Sequence, residues 1–424
     1  MALLIILWYN KMAMQNEGQK KTKSKIKKWR KPRHTFGTAL VRSFVAPYAK
    51  LKYGITVEKF RDQGKRPYLI VINHQTAFDQ FFVGMAFKGP VYYIASEDLF
   101  SKGFVSKIIK FLVAPIPIKK QTTDLRAVMD CARIAKEGGT IALAPEGNRT
   151  YCGRTLEFKK SIVKLARLTK LPIAVFKIEG GYGVQPRWAN KLRKGKMHAY
   201  VKSVLETDVY SKMTDDELYE YLKTELYQDE SKDTGLFYSK RTAEYLERVV
   251  YVCPDCGLTT FKSKGQLITC TKCGKTIRYN ANKSLTGENC EFPFGFIGEW
   301  YDYQNKFVNE LDLSKATDKP VYIDNVQFSE VVLYKNKRVL DKNAKVELYG
   351  DKIVVQGKNV SFTFDFDKTD AVTVLGKNKL NIYFDNKVYQ IKGEVRFNAL
   401  RHLNFFHKFK NEIGGTDQDG FLGI

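Results

Sequence analysis

Short apolar runs alternate with longer amphipathic stretches through the first half of the chain. Runs of four to eight residues rich in Ile, Val, Leu and Tyr predict buried strands, and the stretches between them predict helices. Regular alternation of the two indicates an α/β domain with a largely buried sheet. The strands are predicted at residues 68–72, 91–94, 116–118, 140–144 and 173–178, and the helices at 100–112, 123–136 and 158–168.

The helix predicted at 100–112 is amphipathic, with lysines interspersed among its apolar residues. Such a helix is usually part of a core. The alternative is a surface that enters a bilayer or lines a tunnel for an acyl chain. Its apolar residues are Phe100, Phe104, Ile108, Phe111 and Leu112, and its lysines are Lys102, Lys107 and Lys110.

The pattern changes in the second half of the chain. Thr214 and Glu217 form a capping box that predicts a helix to about residue 227, and another helix is predicted at 238–250. From about residue 295, short strands separated by Gly, Asn and Asp turns indicate a mainly-β, barrel-like domain that looks like a pleckstrin-homology or GRAM domain. Its strands are predicted at 345–349, 352–356, 360–366, 371–375, 380–384 and 388–392, and its closing helix at 397–411.

The charge of the chain indicates anionic partners. There are 71 basic and 45 acidic residues, a net charge of +26, so nucleic acid, anionic lipid and phosphate-bearing small molecules all fit. No run of about 18 apolar residues, the length that a transmembrane helix needs, occurs.

The N-terminal region predicts that the protein is peripherally bound to the cytoplasmic face of the cell membrane. Residues 19–33 carry only basic charges, and such an arm attracts anionic lipid; a solvated tail is the alternative. The apolar start at 1–9 is either an anchor or a start-site artefact, because Met12 and Met14 follow it. An apolar helical face is expected from Trp29, Phe36, Leu40, Val41, Phe44 and Val45.

A histidine and an aspartate follow the first predicted strand. His74 comes directly after the strand at 68–72, and Asp79 lies five residues further on. The carboxylate can fix the tautomer of the ring and leave the other nitrogen as a general base. The alternative is that Asp79 caps the next helix and His74 is a satisfied, buried side chain.

Cationic residues follow two further predicted strands, where ligands collect in open α/β sheets. Arg149 follows the strand at 140–144, and its planar guanidinium suits a phosphate. Gly147 lets backbone amides approach that ligand closely. Lys119 and Lys120 follow the strand at 116–118. A surface salt bridge is the alternative for each cation.

These motifs resemble the four ordered blocks of the glycerolipid acyltransferases, most closely those of the 1-acyl-glycerol-3-phosphate (lysophosphatidic acid) acyltransferases. The blocks are His74-x4-Asp79 and residues 116–120, 145–149 and 171–175. The resemblance covers about residues 36–210 and implies a mixed sheet flanked by helices. It also implies that His74 deprotonates the acceptor hydroxyl and that Asp79 orients His74.

The same resemblance implies an acceptor site for phosphate and glycerol, formed by Glu146, Gly147 and Arg149. Two positions in this site depart from the family pattern. Lys120 stands where the family usually has arginine, and Asn148 where it usually has threonine or serine. Lysine keeps the positive charge but loses the bidentate geometry of arginine. The identity of the acceptor is therefore less well indicated than the type of reaction.

The expected reaction is direct transfer of an acyl group from acyl-coenzyme A or acyl-carrier protein to a lysophospholipid, making phosphatidic acid. Such a transfer needs a general base, a hydrogen-bond donor that stabilises the oxyanion, and a binding site for each substrate. It needs no metal. No Gly-x-Ser-x-Gly motif is present, so a serine acyl-enzyme of that type has no candidate. Acylation of another lysophospholipid or of glycerol phosphate, or a non-catalytic lipid-binding scaffold, are alternatives; a nucleic-acid binder is disfavoured.

Four of the seven cysteines form two Cys-x-x-Cys-Gly motifs. Cys253 and Cys256 form the first, and Cys270 and Cys273 form the second. Two such turns supply the four thiolates that structural Zn²⁺ prefers, so a zinc ribbon is predicted; a redox pair and a rubredoxin-like iron site are the alternatives. The expected division of the chain is 1–35 membrane-facing arm, 36–210 acyltransferase domain, 211–248 helical connector, 249–280 zinc ribbon and 290–424 β-rich domain.

Overall fold

The computed structural model describes residues 28–61, 64, 66–118, 124–332 and 335–414. The predictions for the apolar start, for most of the basic arm and for Lys119 and Lys120 lie outside these residues. Within the described ranges, every helix is too short or too polar to cross a bilayer.

The first domain is built on a mixed seven-stranded sheet. Its strands are β1 (Ile55–Val57), β2 (Leu69–Ile72), β3 (Val91–Ser96), β4 (Ile116–Ile118), β5 (Thr140–Leu143), β6 (Ile173–Glu179) and β7 (Met197–Leu205). In the order β1-β7-β6-β2-β5-β3-β4, the five strands from β6 to β4 are parallel and β7 is antiparallel to β6. The five predicted strands are confirmed, whereas β1 and β7 were not predicted.

Helices cover both faces of this sheet. Leu69 and Val71 of β2 belong to one apolar cluster, and Ile70 and Ile72 belong to the cluster on the opposite face. Burial on both faces explains why β2 is uniformly apolar. The helices are α1 (Pro32–Tyr53), α2 (Asp79–Ala86), α3 (Phe104–Leu112), α4 (Leu125–Lys136), α5 (Ser161–Thr169), α6 (Gly181–Val184), α7 (Thr207–Tyr210) and α8 (Asp215–Leu226).

Helix α3 begins four residues later than predicted, and it is not a core helix. Phe104 is 74% exposed and Phe111 is 54% exposed. The helix lies against α1, where a Cβ on Gly37 would come within 2.6 Å of the carbonyl oxygen of Leu112. Trp29 precedes α1 and packs on the core, with its Nε1 donating to the carbonyl oxygen of Ala114 at 3.3 Å. Trp29 lies outside the helix, so the prediction that it contributes to the apolar helical face is wrong.

Helix α8 confirms the predicted capping box, with both reciprocal bonds between Thr214 and Glu217. The helix predicted at 238–250 is wrong: the segment has only a short 3₁₀ turn at Leu246–Arg248. Besides the hydrogen bonds of that turn, the segment is bonded to the residues that follow it. The amide of Ala243 donates to the carbonyl oxygen of Gly265 at 3.0 Å, and the amide of Tyr245 donates to Ser263 Oγ at 2.6 Å.

Three further sheets, of two, four and seven strands, complete the described chain. A small cysteine-bearing unit contains β8 (Val252–Cys253), β9 (Gly257–Leu258), β10 (Phe261–Lys264), β11 (Leu267–Cys270), β12 (Thr276–Tyr279) and β13 (Leu285–Gly287), followed by α9 (Ile297–Asn309). The last domain is a curled antiparallel sheet with a closing helix, as predicted. Its elements are β14 (Tyr322–Glu330), β15 (Arg338–Leu348), β16 (Lys352–Gln356), β17 (Ser361–Asp365), β18 (Ala371–Leu375), β19 (Lys379–Phe384), β20 (Lys387–Gly393) and α10 (Ala399–Gly414).

One apolar core joins the three parts. Trp188 of the first domain packs edge-to-face on Tyr279 of the cysteine-bearing unit, with ring centroids 5.6 Å apart. The hydroxyl of Tyr322, at the start of β14, donates to the carbonyl oxygen of Thr259 at 3.2 Å. All of these side chains lie in the same cluster except Thr259. The orientation of the last domain is therefore fixed relative to the first.

Candidate active site

The candidate site lies where β2, β5 and β6 end. These strands are parallel neighbours, so their carboxyl ends meet at one edge of the sheet. Asn73, the residue after β2, ties that edge together. Its Nδ2 donates to the carbonyl oxygen of Ile178 at 2.9 Å, and its Oδ1 accepts from the amide of Ile178 at 2.8 Å. The loop that begins at His74 is therefore anchored to β6.

His74 and Asp79 form the predicted pair. The Nδ1 of His74 lies 2.8 Å from Oδ2 of Asp79, and their side chains are 26% and 1% exposed. Because a carboxylate only accepts, Nδ1 carries the proton and the lone pair is on Nε2. Asp79 also accepts from the amides of Gln75 and Thr76 and from the Thr76 hydroxyl. It holds the turn as well as the ring.

Glu146 braces the histidine loop from the neighbouring strand. Its Oε1 accepts from the amide of His74 and its Oε2 from the amide of Leu156, each at 2.7 Å. Burial raises the pKa of Glu146 to about 8, although both amide donors lower it. Both oxygens of this carboxyl group accept hydrogen bonds from backbone amides. In the described structure Glu146 therefore holds two loops together, and the acceptor-binding role that the resemblance implies stays a prediction.

The loop after β5 presents a guanidinium. Gly147 has φ +65° with open space around its Cβ position, a backbone conformation that favours glycine. Within the described residues, the buried Nη1 of Arg149 has no hydrogen-bond partner. Burial, and next the charge of Arg187, lower the pKa of Arg149 to about 10. A buried donor without a partner is costly, so this group is suited to an anionic ligand.

Arg187 was not predicted, yet it holds this loop in place. Its Nη1 donates to the carbonyl oxygen of Arg149 at 2.8 Å, and its Nη2 donates to Oδ1 of Asn148 at 3.4 Å. The guanidinium also lies over the ring of Tyr151, 4.3 Å from the centroid. Asn148 is thus a positioning side chain here. A lone arginine in a loop gives no sequence signal, since its partners are distant in the chain.

The predicted site residues other than Lys120 meet at this edge of the sheet. His74, Glu146, Gly147, Asn148 and Arg149 lie on the loops after β2 and β5, and Asp79 is the first residue of α2. The four predicted metal ligands form a separate cluster. The sulfurs of Cys253, Cys256, Cys270 and Cys273 all lie within 4.8 Å of one another, so these residues could hold a metal ion.

Comparison with known proteins supports the resemblance. Residues 54–178 match the family model described as Acyltransferase. These residues form an acyltransferase domain. The matched span contains His74, Asp79 and the loop with Arg149, and it ends before Arg187, the cysteine cluster and the last domain.

Two relatives of the acyltransferase domain carry similar names. The chloroplastic 1-acyl-sn-glycerol-3-phosphate acyltransferase BAT2 of Brassica napus is 23% identical over 156 residues. The match spans 35% of this chain and 42% of that protein. The crystal structure of PlsC, the 1-acyl-sn-glycerophosphate (LPA) acyltransferase from Thermotoga maritima, is 22% identical with a TM-score of 0.39 over 45% of this chain and 77% of that one. This last likeness is too distant to establish a common fold.

Proposed function

We propose that the protein is an O-acyltransferase that moves a fatty acyl group from a thioester to the free hydroxyl of 1-acyl-glycerol-3-phosphate, making phosphatidic acid. The observation that carries this proposal is the His74–Asp79 pair beside the Arg149 loop, within the span that matches the acyltransferase family. The names of the two relatives support the acceptor class. Another lysophospholipid or glycerol phosphate is the alternative acceptor.

The chemistry follows from the pair. Nε2 of His74 takes the proton from the acceptor hydroxyl while the oxygen attacks the thioester carbonyl, forming a C–O bond. Collapse of the tetrahedral intermediate breaks the C–S bond, and the departing thiolate takes the proton from the imidazolium. The carboxylate of Asp79 stabilises that imidazolium and fixes the ring orientation. Arg149 binds the acceptor phosphate. The thioester is acyl-coenzyme A or acyl-carrier protein, and the transfer uses no other cofactor.

The acceptor carries an acyl chain, so the enzyme must work at a membrane. Helices α1 and α3 supply a surface for this, defined by exposed Phe36, Leu40, Phe44 and Leu51 of α1 and Phe104, Ile108 and Phe111 of α3. Exposed lysines accompany it at Lys50, Lys52 and Lys107. Apolar side chains rimmed by basic ones suit an anionic lipid surface. We place this surface on the cytoplasmic face of the cell membrane.

The cysteine cluster is proposed to hold one structural Zn²⁺. Four sulfurs about 2.3 Å from a tetrahedral zinc lie about 3.8 Å apart, and the sulfurs of Cys253 and Cys273 are 3.7 Å apart. All four positions are filled by thiolates, as in structural sites. The metal would fix the turns that pack between the acyltransferase domain and the last domain.

Thiol release from acyl-coenzyme A, with and without lysophosphatidic acid, tests the reaction. His74→Ala is expected to lower the acceptor-dependent rate by at least 100-fold at unchanged melting temperature. The matched control is His198→Ala. His198 also pairs with a carboxylate, its Nε2 lying 2.7 Å from Oε1 of Glu58, but it sits in β7. The control should keep full activity.

Each result of this assay has a distinct meaning. Release that depends on both the acceptor and His74 supports the proposal. Release with another lysolipid only reassigns the acceptor. If neither acyl-coenzyme A nor acyl-carrier protein gives transfer to any lysolipid, while the protein still binds anionic vesicles, the chain is a lipid-binding scaffold. Full activity of His74→Ala would refute the general-base role.

A further inference from the structure

One turn of the last domain lies beside the proposed acceptor site. The turn between β18 and β19 packs on the Arg149 loop, because Arg187 donates to both. Its Nη2 donates to the carbonyl oxygen of Val374 at 2.9 Å and its Nε to that of Gly376 at 3.3 Å, while its Nη1 donates to the carbonyl oxygen of Arg149. Arg187 is only 4% exposed. Lys377 follows directly after Gly376, so the fold brings it beside the loop with the proposed phosphate-binding arginine.

Lys377 belongs to a group of neighbouring cations, in which the charge of Asp79 acts on Arg149 and that of Glu247 acts on Arg248. Its Nζ donates to Oδ1 of Asn190 at 3.2 Å, and the same oxygen accepts from Nη1 of Arg248 at 2.9 Å. Within the described part of the chain, no carboxylate forms an ion pair with Lys377, Arg149, Arg187 or Arg248. Burial, followed by the charges of Arg248 and Arg149, lowers the pKa of Lys377 to about 8. Partly buried positive charge without a carboxylate in a direct ion pair is costly unless an anion binds.

Two of these cations are already committed. Arg187 donates to three backbone carbonyls, and Arg248 donates to the carbonyl oxygens of Trp188 and Val395 as well as to Asn190. Each forms four of the hydrogen bonds described, so most of its five N–H donors are occupied and it contributes mainly positive potential. Two cations remain available to bind a ligand. Arg149 has its unpartnered Nη1, and Lys377 is held by a single amide oxygen. Arg149 offers a planar guanidinium and Lys377 a compact ammonium group. Together they suit the several oxygens of a phosphate.

We propose that Lys377, from the last domain, binds the phosphate monoester of the acceptor together with Arg149. This inference rests on the proposed function, because it assigns a second cation to the same acceptor site. It gives the last domain a direct part in acceptor choice. A lysolipid or a free phosphate ester would present the same group to these residues.

Steady-state kinetics of Lys377→Ala provide the first test. A lost charge-assisted contact raises KM for lysophosphatidic acid about tenfold or more, with kcat within about twofold, and Lys377→Arg restores most of the affinity. Any slow transfer to a monoacylglycerol, which has no phosphate, is unchanged. The control is Lys387→Ala, at an exposed lysine that begins β20, next to the turn at the opposite end of β19. An unchanged KM in Lys377→Ala would overturn the proposal.

Chemical labelling of the unmodified chain provides a test that needs neither catalysis nor a variant. Acetylation of Lys377 and Lys387 is followed by peptide mass spectrometry with glycerol 3-phosphate, inorganic phosphate or glycerol present. We expect glycerol 3-phosphate to protect Lys377 and not Lys387, and glycerol to protect neither. Protection by inorganic phosphate alone would identify the phosphate as sufficient.

The two tests separate the inference from the proposed function. If the enzyme acylates no lysolipid but glycerol 3-phosphate protects Lys377, the proposed function fails and the phosphate site stands. If transfer to lysophosphatidic acid occurs and saturating glycerol 3-phosphate leaves Lys377 labelling unchanged, the proposed function stands and the assignment of Lys377 is refuted.

Discussion

Asp79→Asn replaces one carboxylate oxygen by an amide group, and the contacts of Asp79 determine where that group goes. Oδ2 accepts from His74 Nδ1 and from the amide of Gln75, each at 2.8 Å, and neither donor can become an acceptor while the ring keeps its tautomer. Oδ1 accepts from the Thr76 hydroxyl, which can rotate and accept instead, and from the Thr76 amide, which also lies 3.1 Å from Oδ2 and can keep that acceptor. The asparagine oxygen should therefore stay at the Oδ2 position, facing His74.

This orientation sets the size of the effect. The ring keeps its tautomer but loses the negative charge that stabilises the imidazolium, a loss of about 2–3 kcal/mol and so roughly 30- to 150-fold in kcat/KM. Had the amide nitrogen faced the ring, the wrong tautomer would cost about 10⁴-fold, as in the serine proteases. The weaker hydrogen bonds in the turn should lower the free energy of unfolding by about 1–3 kcal/mol.

Thiol-release kinetics and urea denaturation measure both quantities. Glu58→Gln is the control, because Glu58 is the exposed carboxylate that pairs with His198 on the outer strands. Glu58→Gln should change neither kcat/KM nor the free energy of unfolding. An Asp79→Asn enzyme with the activity of the wild type and an intact fold would refute the paired-base reasoning. A loss near 10⁴-fold would refute the predicted amide orientation.

Three more predictions concern buried charge, the metal and the membrane. Because the pKa of Glu146 is about 8 when folded and 4.5 ordinarily, the folded chain binds more protons between these values and its free energy of unfolding falls as pH rises through them; Glu146→Gln should flatten this slope in urea titrations. Cys270→Ser should reduce bound zinc from one per chain to none and lower the melting temperature. Phe44→Asp with Phe104→Asp should weaken flotation with anionic vesicles by at least 100-fold, since each buried phenylalanine contributes about 1.5–3 kcal/mol.

Each of these has a control or a contrary result. Equal pH slopes in the two proteins would contradict the pKa of Glu146. Cys290→Ser should keep the zinc, because Cys290 lies outside the four-sulfur cluster. Leu236→Asp, at another exposed apolar position, should float like the wild type, and undiminished flotation of the double variant would place the membrane surface elsewhere.

The parts of the fold that could be predicted are those whose signal is local. Strand β2 is buried on both faces, and its sequence is therefore a continuous apolar run. The two cysteine turns are recognised from the spacing of their own cysteines. Strand β14 was missed because its alternation is interrupted where its pairing with β15 shifts, between Val326 and Ser329. The segment 238–250 has helical spacing, but Tyr245 adopts φ +75° and the backbone pairs with the next hairpin.

In the candidate site, too, the residues that could be predicted are those whose signal is local. His74 and Asp79 are five residues apart, so one short loop joins them and the sequence predicts the pair. Glu146 was identified, but its bonds to His74 and Leu156 depend on how two loops meet in three dimensions. Arg187 was not identified, because its partners lie up to 189 residues away.

The bonds from Arg187 to Val374 and Gly376 also bear on how the protein is made. Ribosomes deliver the N-terminal part of a chain first, so the loop with Arg149 emerges long before the turn that packs on it. With Lys377 in the acceptor site, the nascent chain holds His74, Asp79 and Arg149 but lacks the second cation for the acceptor phosphate until the last domain has been synthesised and has folded back. Full affinity for the acceptor then begins only near the end of translation, and products of premature termination should bind the acceptor weakly.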